Sequence, residues 1–93
     1  MIVRISGEGQ FELPEEERDR LNDLDNQAVA AVEADDRAKF RELWEEMLGL
    51  ASGGRRLDDD ELVESDVILP PRDMTFEEAQ AEFTGDGLIP DGG

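Results

Sequence analysis

The chain lacks cysteine, histidine and tyrosine altogether, and each absence closes a route to function. Without cysteine there is no disulfide staple and no thiolate chemistry, which fits a cytosolic protein. Without histidine or tyrosine, general acid–base work falls to carboxylates. The nucleophiles left are serine, threonine and the single lysine, Lys39. Serine occurs only at Ser6, Ser52 and Ser65, and none of them stands in a G-x-S-x-G elbow. No catalytic residue and no cofactor is expected, and the chain reads as a non-enzyme. No apolar run approaches the roughly 20 residues of a membrane span, and no basic region leads into an apolar one as in a signal peptide. A cytoplasmic location without direct membrane insertion is the expectation.

What the chain has in excess is negative charge. Among 93 residues, 26 are acidic and 9 basic, for a net charge of −17. Nucleic-acid phosphate and anionic lipid would both be repelled, so neither is an expected partner. A basic protein surface is the natural counterpart, although plain solubility explains the same charge. The charge is spread over every segment and interleaved with arginine as far as Arg72, which argues against rows of carboxylates mimicking a nucleic-acid backbone.

The stretch ISGEGQF, residues 5–11, raises the question of a phosphate-binding glycine loop. The third glycine of that fingerprint would fall at position 12, where Glu12 stands, and no helix opens at the glycines. Alternation of Val3 and Ile5 before the glycines, and of Phe11 and Leu13 after them, predicts a β-hairpin instead. A three-residue loop of Gly7-Glu8-Gly9 pairs Ile5 with Phe11, Arg4 with Glu12 and Val3 with Leu13. Like then meets like on each face, with Gly9 taking the left-handed position.

Pro14 and the acidic Glu15, Glu16 and Glu17 suit a helix's first turn. Leu21, Leu24, Ala28, Ala31 and Val32 then form one stripe of a helix over about residues 15–34. Asp35 or Asp36 caps a second helix, whose stripe is Phe40, Leu43, Trp44, Met47, Leu48 and Ala51, ended by Ser52-Gly53-Gly54. So short a break predicts an antiparallel helical hairpin, with Trp44 as core. Residues 55–66 read as an acidic, charged connector. Val67-Ile68-Leu69 can add a short third strand at the sheet edge before Pro70 and Pro71. Thr75-Phe76-Glu77-Glu78 is a capping box opening a short C-terminal helix, with Met74 placed to staple onto Ala79.

Two constellations invite a functional reading. Asp58, Asp59, Asp60 and Glu61, with Glu64 and Asp66 behind, could gather oxygen ligands for a hard cation, but the glycine of an EF-hand turn is absent. Asp35 to Glu46 also fails that spacing, because Arg37 and Lys39 stand at ligand positions. No metal site is expected. The segment beyond the double proline carries Phe76, Ala79, Phe83, Leu88 and Ile89 in a short space. It reads either as a tail helix folded onto the body or as an amphipathic face for a partner's helix. These five are the candidate partner-binding residues.

Taken together, MIVRISGEGQFELP, LNDLDNQAVAAVEADD, FRELWEEMLGL, DDELVESDVILPP and TFEEAQAEFTGDGLIPDGG resemble the PspAA domain. These are small acidic proteins encoded beside phage-shock protein A homologues in actinobacteria and archaea. The resemblance spans nearly the whole chain and is most specific in RISGEGQF and DDELVESDVILPP…GDGLIP. Arg55-Arg56 and the final DGG depart from the pattern, and the family offers no catalytic motif to carry over. The resemblance implies a non-enzymatic adaptor or regulator in the envelope-stress response that contacts a phage-shock protein A-type coiled coil. It would then be peripheral to the membrane through that partner. The alternative is an acidic module that responds to divalent cations or inhibits by mimicking nucleic acid. The expected architecture is one α+β domain over residues 1–93. A β-hairpin (1–13) packs on a helical hairpin (15–52), followed by the connector (55–66) and a strand, short helix and tail (67–93).

Overall fold

Val3 and Ile5 point inward and Arg4 outward in β1 (Ile2–Ile5), the first strand of the computed structural model, which describes residues 1–58 and 63–83. The chain continues through β2 (Gly9–Glu12), α1 (Glu16–Glu33), α2 (Arg37–Ser52), β3 (Arg55–Arg56), β4 (Val67–Leu69) and α3 (Phe76–Glu82). The fold is α+β. Its mixed sheet runs β3-β2-β1-β4, with β1–β2 and β2–β3 antiparallel and β1–β4 parallel. The expected edge strand at Val67–Leu69 is therefore present, as the fourth strand of the sheet and not the third.

The hairpin forms, but in a different register from the expected one. Ile5 pairs with Gly9, Arg4 with Gln10, Val3 with Phe11 and Ile2 with Glu12. The loop is Ser6-Gly7-Glu8, closed by the Glu8 N–H donating to the Ile5 carbonyl at 2.9 Å. Gly7 (φ 84°) occupies the third position of that turn, where a type II geometry requires positive φ. Gly9 (φ 126°) opens β2 and does not close the loop. The slide is by two residues, so each side chain keeps its face. It extends the ladder by one pair, with the Leu13 N–H donating to the Met1 carbonyl at 2.8 Å and the Met1 ammonium to the Leu13 carbonyl at 3.0 Å.

Arg55-Arg56 correct a second expectation. They begin the connector as an edge strand, Arg56 opposite Phe11 and Arg55 opposite Glu12. Glu12, freed from Arg4 by the register, pairs instead with the Arg55 guanidinium at 3.1 Å. Gly54 makes the approach possible. A Cβ there would lie 2.5 Å from the Glu12 carbonyl oxygen and from the Leu13 side chain.

The helical hairpin turns through Asp35 in the left-handed region (φ 56°), a conformation aspartate tolerates better than most residues. Asp36 caps α2, its carboxylate accepting from the Lys39 N–H at 3.1 Å. Both predicted stripes are buried, and together with Val3, Ile5, Phe11, Leu13, Val67 and Leu69 they form one hydrophobic core. Asp25 is fully buried among them on α1, a placement the apolar pattern did not indicate. Across the sheet's end, Arg72 donates both Nε and Nη2 to the two carboxylate oxygens of Glu8, each at 3.0 Å, tying the hairpin loop to the chain after β4. That hydrogen-bonded guanidinium holds the Glu8 carboxyl below its ordinary value.

Candidate functional site

The capping box fixes where the C-terminal segment meets the helical hairpin. The Thr75 hydroxyl accepts from the Glu78 N–H at 3.2 Å while the Glu78 carboxylate accepts from the Thr75 N–H at 3.0 Å. So anchored, α3 delivers Phe76 at its start and Phe83 at its end to the aromatic part of α2. Phe83 stands edge-on to Phe40 at 5.2 Å and to Trp44 at 5.9 Å between ring centres, and Phe76 stands edge-on to Phe40 at 5.8 Å. Phe40 and Trp44 lie nearly parallel at 6.5 Å. Edge-to-face contacts of this kind add about 0.5–1.5 kcal/mol each beyond area burial.

Between α2 and the start of α3 this arrangement leaves a groove of about 370 Å³, lined by Arg37, Phe40, Arg41, Trp44, Met74 and Phe76 among others. Arg37 stacks over Phe76, its Cζ 4.5 Å from the ring centre, and bonds Glu77 at 3.1 Å. The Glu77 carboxyl is held low, first by its own backbone N–H and then by Arg37. Arg41 is exposed and makes no ion pair among the described residues. Trp44 is 2 % exposed, and its indole N–H, shut off from solvent, finds no acceptor among the described residues. A buried donor left unmatched costs about 1–3 kcal/mol.

Of the five residues expected from sequence to meet a partner, Phe76 is half-buried and lines this groove. Ala79 and Phe83 are packed into the core at 0 % and 1 % exposure. Leu88 and Ile89 lie outside the described residues. Sequence reasoning missed Arg37 and Arg41, although their spacing of four along α2 puts them on one side of that helix. A second, shallower hollow of about 330 Å³ lies between Pro14, Glu17, Leu50 and Gly53 at the other end of α2.

Among the described residues no group of three or more acidic side chains is disposed to hold a metal ion. Asp59, Asp60 and Glu61 of the acidic connector lie outside them. No helix among the described residues is long and apolar enough to cross a membrane.

Fold and groove together define a small acidic α+β module with an aromatic, arginine-edged cleft. The family model described as PspA-associated protein matches residues 1–91, and the chain belongs to this PspAA family. Comparison with curated proteins finds no match, and comparison with solved structures finds none.

Proposed function

We propose that the chain is a non-enzymatic adaptor or regulator in the envelope-stress response, acting by binding a phage-shock protein A-type coiled-coil protein. The observation that carries this reading is the family match over residues 1–91, whose description names an associated protein and no reaction. The residue inventory supports it, since a chain without histidine, cysteine or tyrosine has little with which to catalyse. The net charge of −17 supports the choice of partner surface. It favours encounter with a basic protein and opposes direct docking on anionic lipid, so membrane contact would come through the partner. The chain would then act in the cytoplasm as one domain.

The contact surface in this reading is the segment from Phe76 onward. Phe76 offers an aromatic face at the groove's edge, while Ala79 and Phe83 seat α3 in the core. Leu88 and Ile89 extend the apolar character of the segment in sequence. A helix laid in a groove of this kind is a common mode of coiled-coil recognition.

Mixing the chain with its cognate coiled-coil protein and following co-elution on a sizing column tests the proposal. Co-elution is expected at low salt, weaker at high salt, and weaker again with Phe76→Ser at either salt. Failure to co-elute at both salts would overturn it.

A further inference from the structure

The hollow at the far end of α2 differs in kind from the aromatic groove. It measures about 330 Å³ and is lined by Pro14, Glu17, Gly49, Leu50 and Gly53 among others, where the start of α1 meets the last turn of α2. Glu17 is half-buried there, and its carboxylate accepts from no donor among the described residues. Its Oε2 is shut off from solvent, which leaves Oε1 as the reachable oxygen. The cations nearest in sequence do not answer it. Arg18 faces Glu15 at 3.4 Å, Arg55 bonds Glu12 at 3.1 Å, and Arg20 is exposed with no ion pair to Glu17.

The end of α2 adds a second source of negative potential. Its last carbonyls are the negative pole of the helix dipole, and no basic residue stands in the last turn to balance them. The Gly53 N–H donates to the Gly49 carbonyl at 3.1 Å and the Gly54 N–H to the Ala51 carbonyl at 3.2 Å. The Leu50 carbonyl is skipped between them and has no backbone donor among the described residues. Gly53 keeps these oxygens uncovered. A Cβ there would stand 3.2 Å from the Gly49 oxygen and 3.5 Å from the Leu50 oxygen. Glu45 and Glu46, exposed one turn before Gly49 and Leu50, carry charge of the same sign.

We infer that this hollow takes a lysine side chain from the partner's basic surface. On the adaptor reading, on which this rests, that lysine is a second anchor apart from Phe76. Its ammonium bonds Glu17 Oε1 in the field of α2's last carbonyls, and its aliphatic stem lies on Pro14 and Leu50. Arginine fits less well, because a guanidinium gains most from gripping both oxygens of a carboxylate and Oε2 is closed. An apolar side chain would leave the carboxylate and the Leu50 carbonyl unmatched. A divalent cation is disfavoured, since Ca²⁺ wants roughly six to eight oxygen ligands and no group of three acidic side chains among the described residues is disposed to hold a metal.

The amide resonances of Glu17, Leu50, Gly53 and Gly54 report occupancy of this one place. The probes are Nα-acetyl-lysine amide, Nα-acetyl-arginine amide and tetramethylammonium. Each carries a single positive charge, so diffuse attraction to a chain of −17 acts alike on all three. The lysine derivative should shift these resonances saturably, the arginine derivative should bind more weakly, and tetramethylammonium should leave them still. Glu17→Gln should weaken lysine binding by roughly tenfold or more. Glu16→Gln, the same loss of charge at an exposed neighbour, should leave it nearly unchanged. Melting temperatures of both variants should hold, since neither carboxylate has a partner to lose among the described residues. An equal response to the three cations would sink the inference. So would lysine binding that Glu17→Gln leaves intact, or larger shifts from millimolar Ca²⁺ than from the lysine derivative. Co-elution of the coiled-coil protein should fall with Glu17→Gln and hold with Glu16→Gln. Co-elution that both variants leave undiminished would overturn this inference and leave the adaptor reading standing. Saturable lysine binding without co-elution of the native chain would do the reverse.

Discussion

Two glycines five positions apart, Gly49 and Gly54, do opposite things for stability, because a residue's worth depends on what stands around it. Gly49 lies inside α2 with nothing within 4 Å of where a Cβ would project. Gly54 lies where the chain leaves α2 for β3, and its missing Cβ is space taken by the Glu12 carbonyl and the Leu13 side chain at 2.5 Å. Gly49→Ala should therefore stabilise by about 0.5–1 kcal/mol through the entropy of the unfolded chain and helix propensity. Gly54→Ala should destabilise by about 1–3 kcal/mol, since β2 and β3 must part to admit the methyl group. Urea denaturation of the two variants checks both signs. A neutral Gly54→Ala would mean that β3 is not held against β2.

At the scale of elements, the question is whether α3 is a part of the core or a removable arm. Phe83 and Phe76 divide that question between them. Phe83 is 1 % exposed and wedged edge-on between Phe40 and Trp44. Phe83→Ala should cost about 3–5 kcal/mol, the loss expected for a buried phenylalanine. Phe76 is half-buried with one ring contact and a cation above it, so Phe76→Ala should cost only about 1–2 kcal/mol. Chemical denaturation gives both numbers. Equal, small losses would mean that α3 packs loosely, and the partner surface would then include Phe83.

Which elements could be foreseen follows from how local their causes are. The stripes of α1 and α2, the Asp36 cap and the Thr75–Glu78 box each depend on residues within one or two turns. The hairpin register does not. Period-two alternation assigns faces but cannot distinguish registers two residues apart, and the observed one adds the main chain of Met1 to the ladder. β3 carries no pattern at all, being two arginines whose partner residues lie 43 and 45 positions earlier in the chain. The groove was half legible. Phe76 and Trp44 stood out as aromatics, but only the packing of α3 on α2 brings them together with Arg37 and Arg41.

For the whole molecule, charge acts in two opposed ways. A net charge of −17 within a radius of gyration of 12.7 Å sets carboxylates on distant elements against one another. The ion pairs that answer them, such as Arg72–Glu8 and Arg55–Glu12, are short contacts at 3.0 and 3.1 Å. Raising ionic strength from about 0.01 M to about 0.15 M shortens the screening length from about 30 Å to about 8 Å. Repulsion between separate elements is then largely screened, while bonded pairs at contact lose less. The free chain should therefore become more stable with salt, and each kcal/mol gained would raise its melting temperature by about 4–8 °C. A complex with a basic helix should respond with the opposite sign, because its encounter depends on the long-range field that salt removes. Thermal melts of the free chain and affinity of the complex, measured across one salt series, provide the comparison. A melting temperature that falls with salt would show that contact pairs outweigh net repulsion. The chain's negative charge would then be a stabilising network in its own right, and its bearing on the partner would have to be argued from the groove alone.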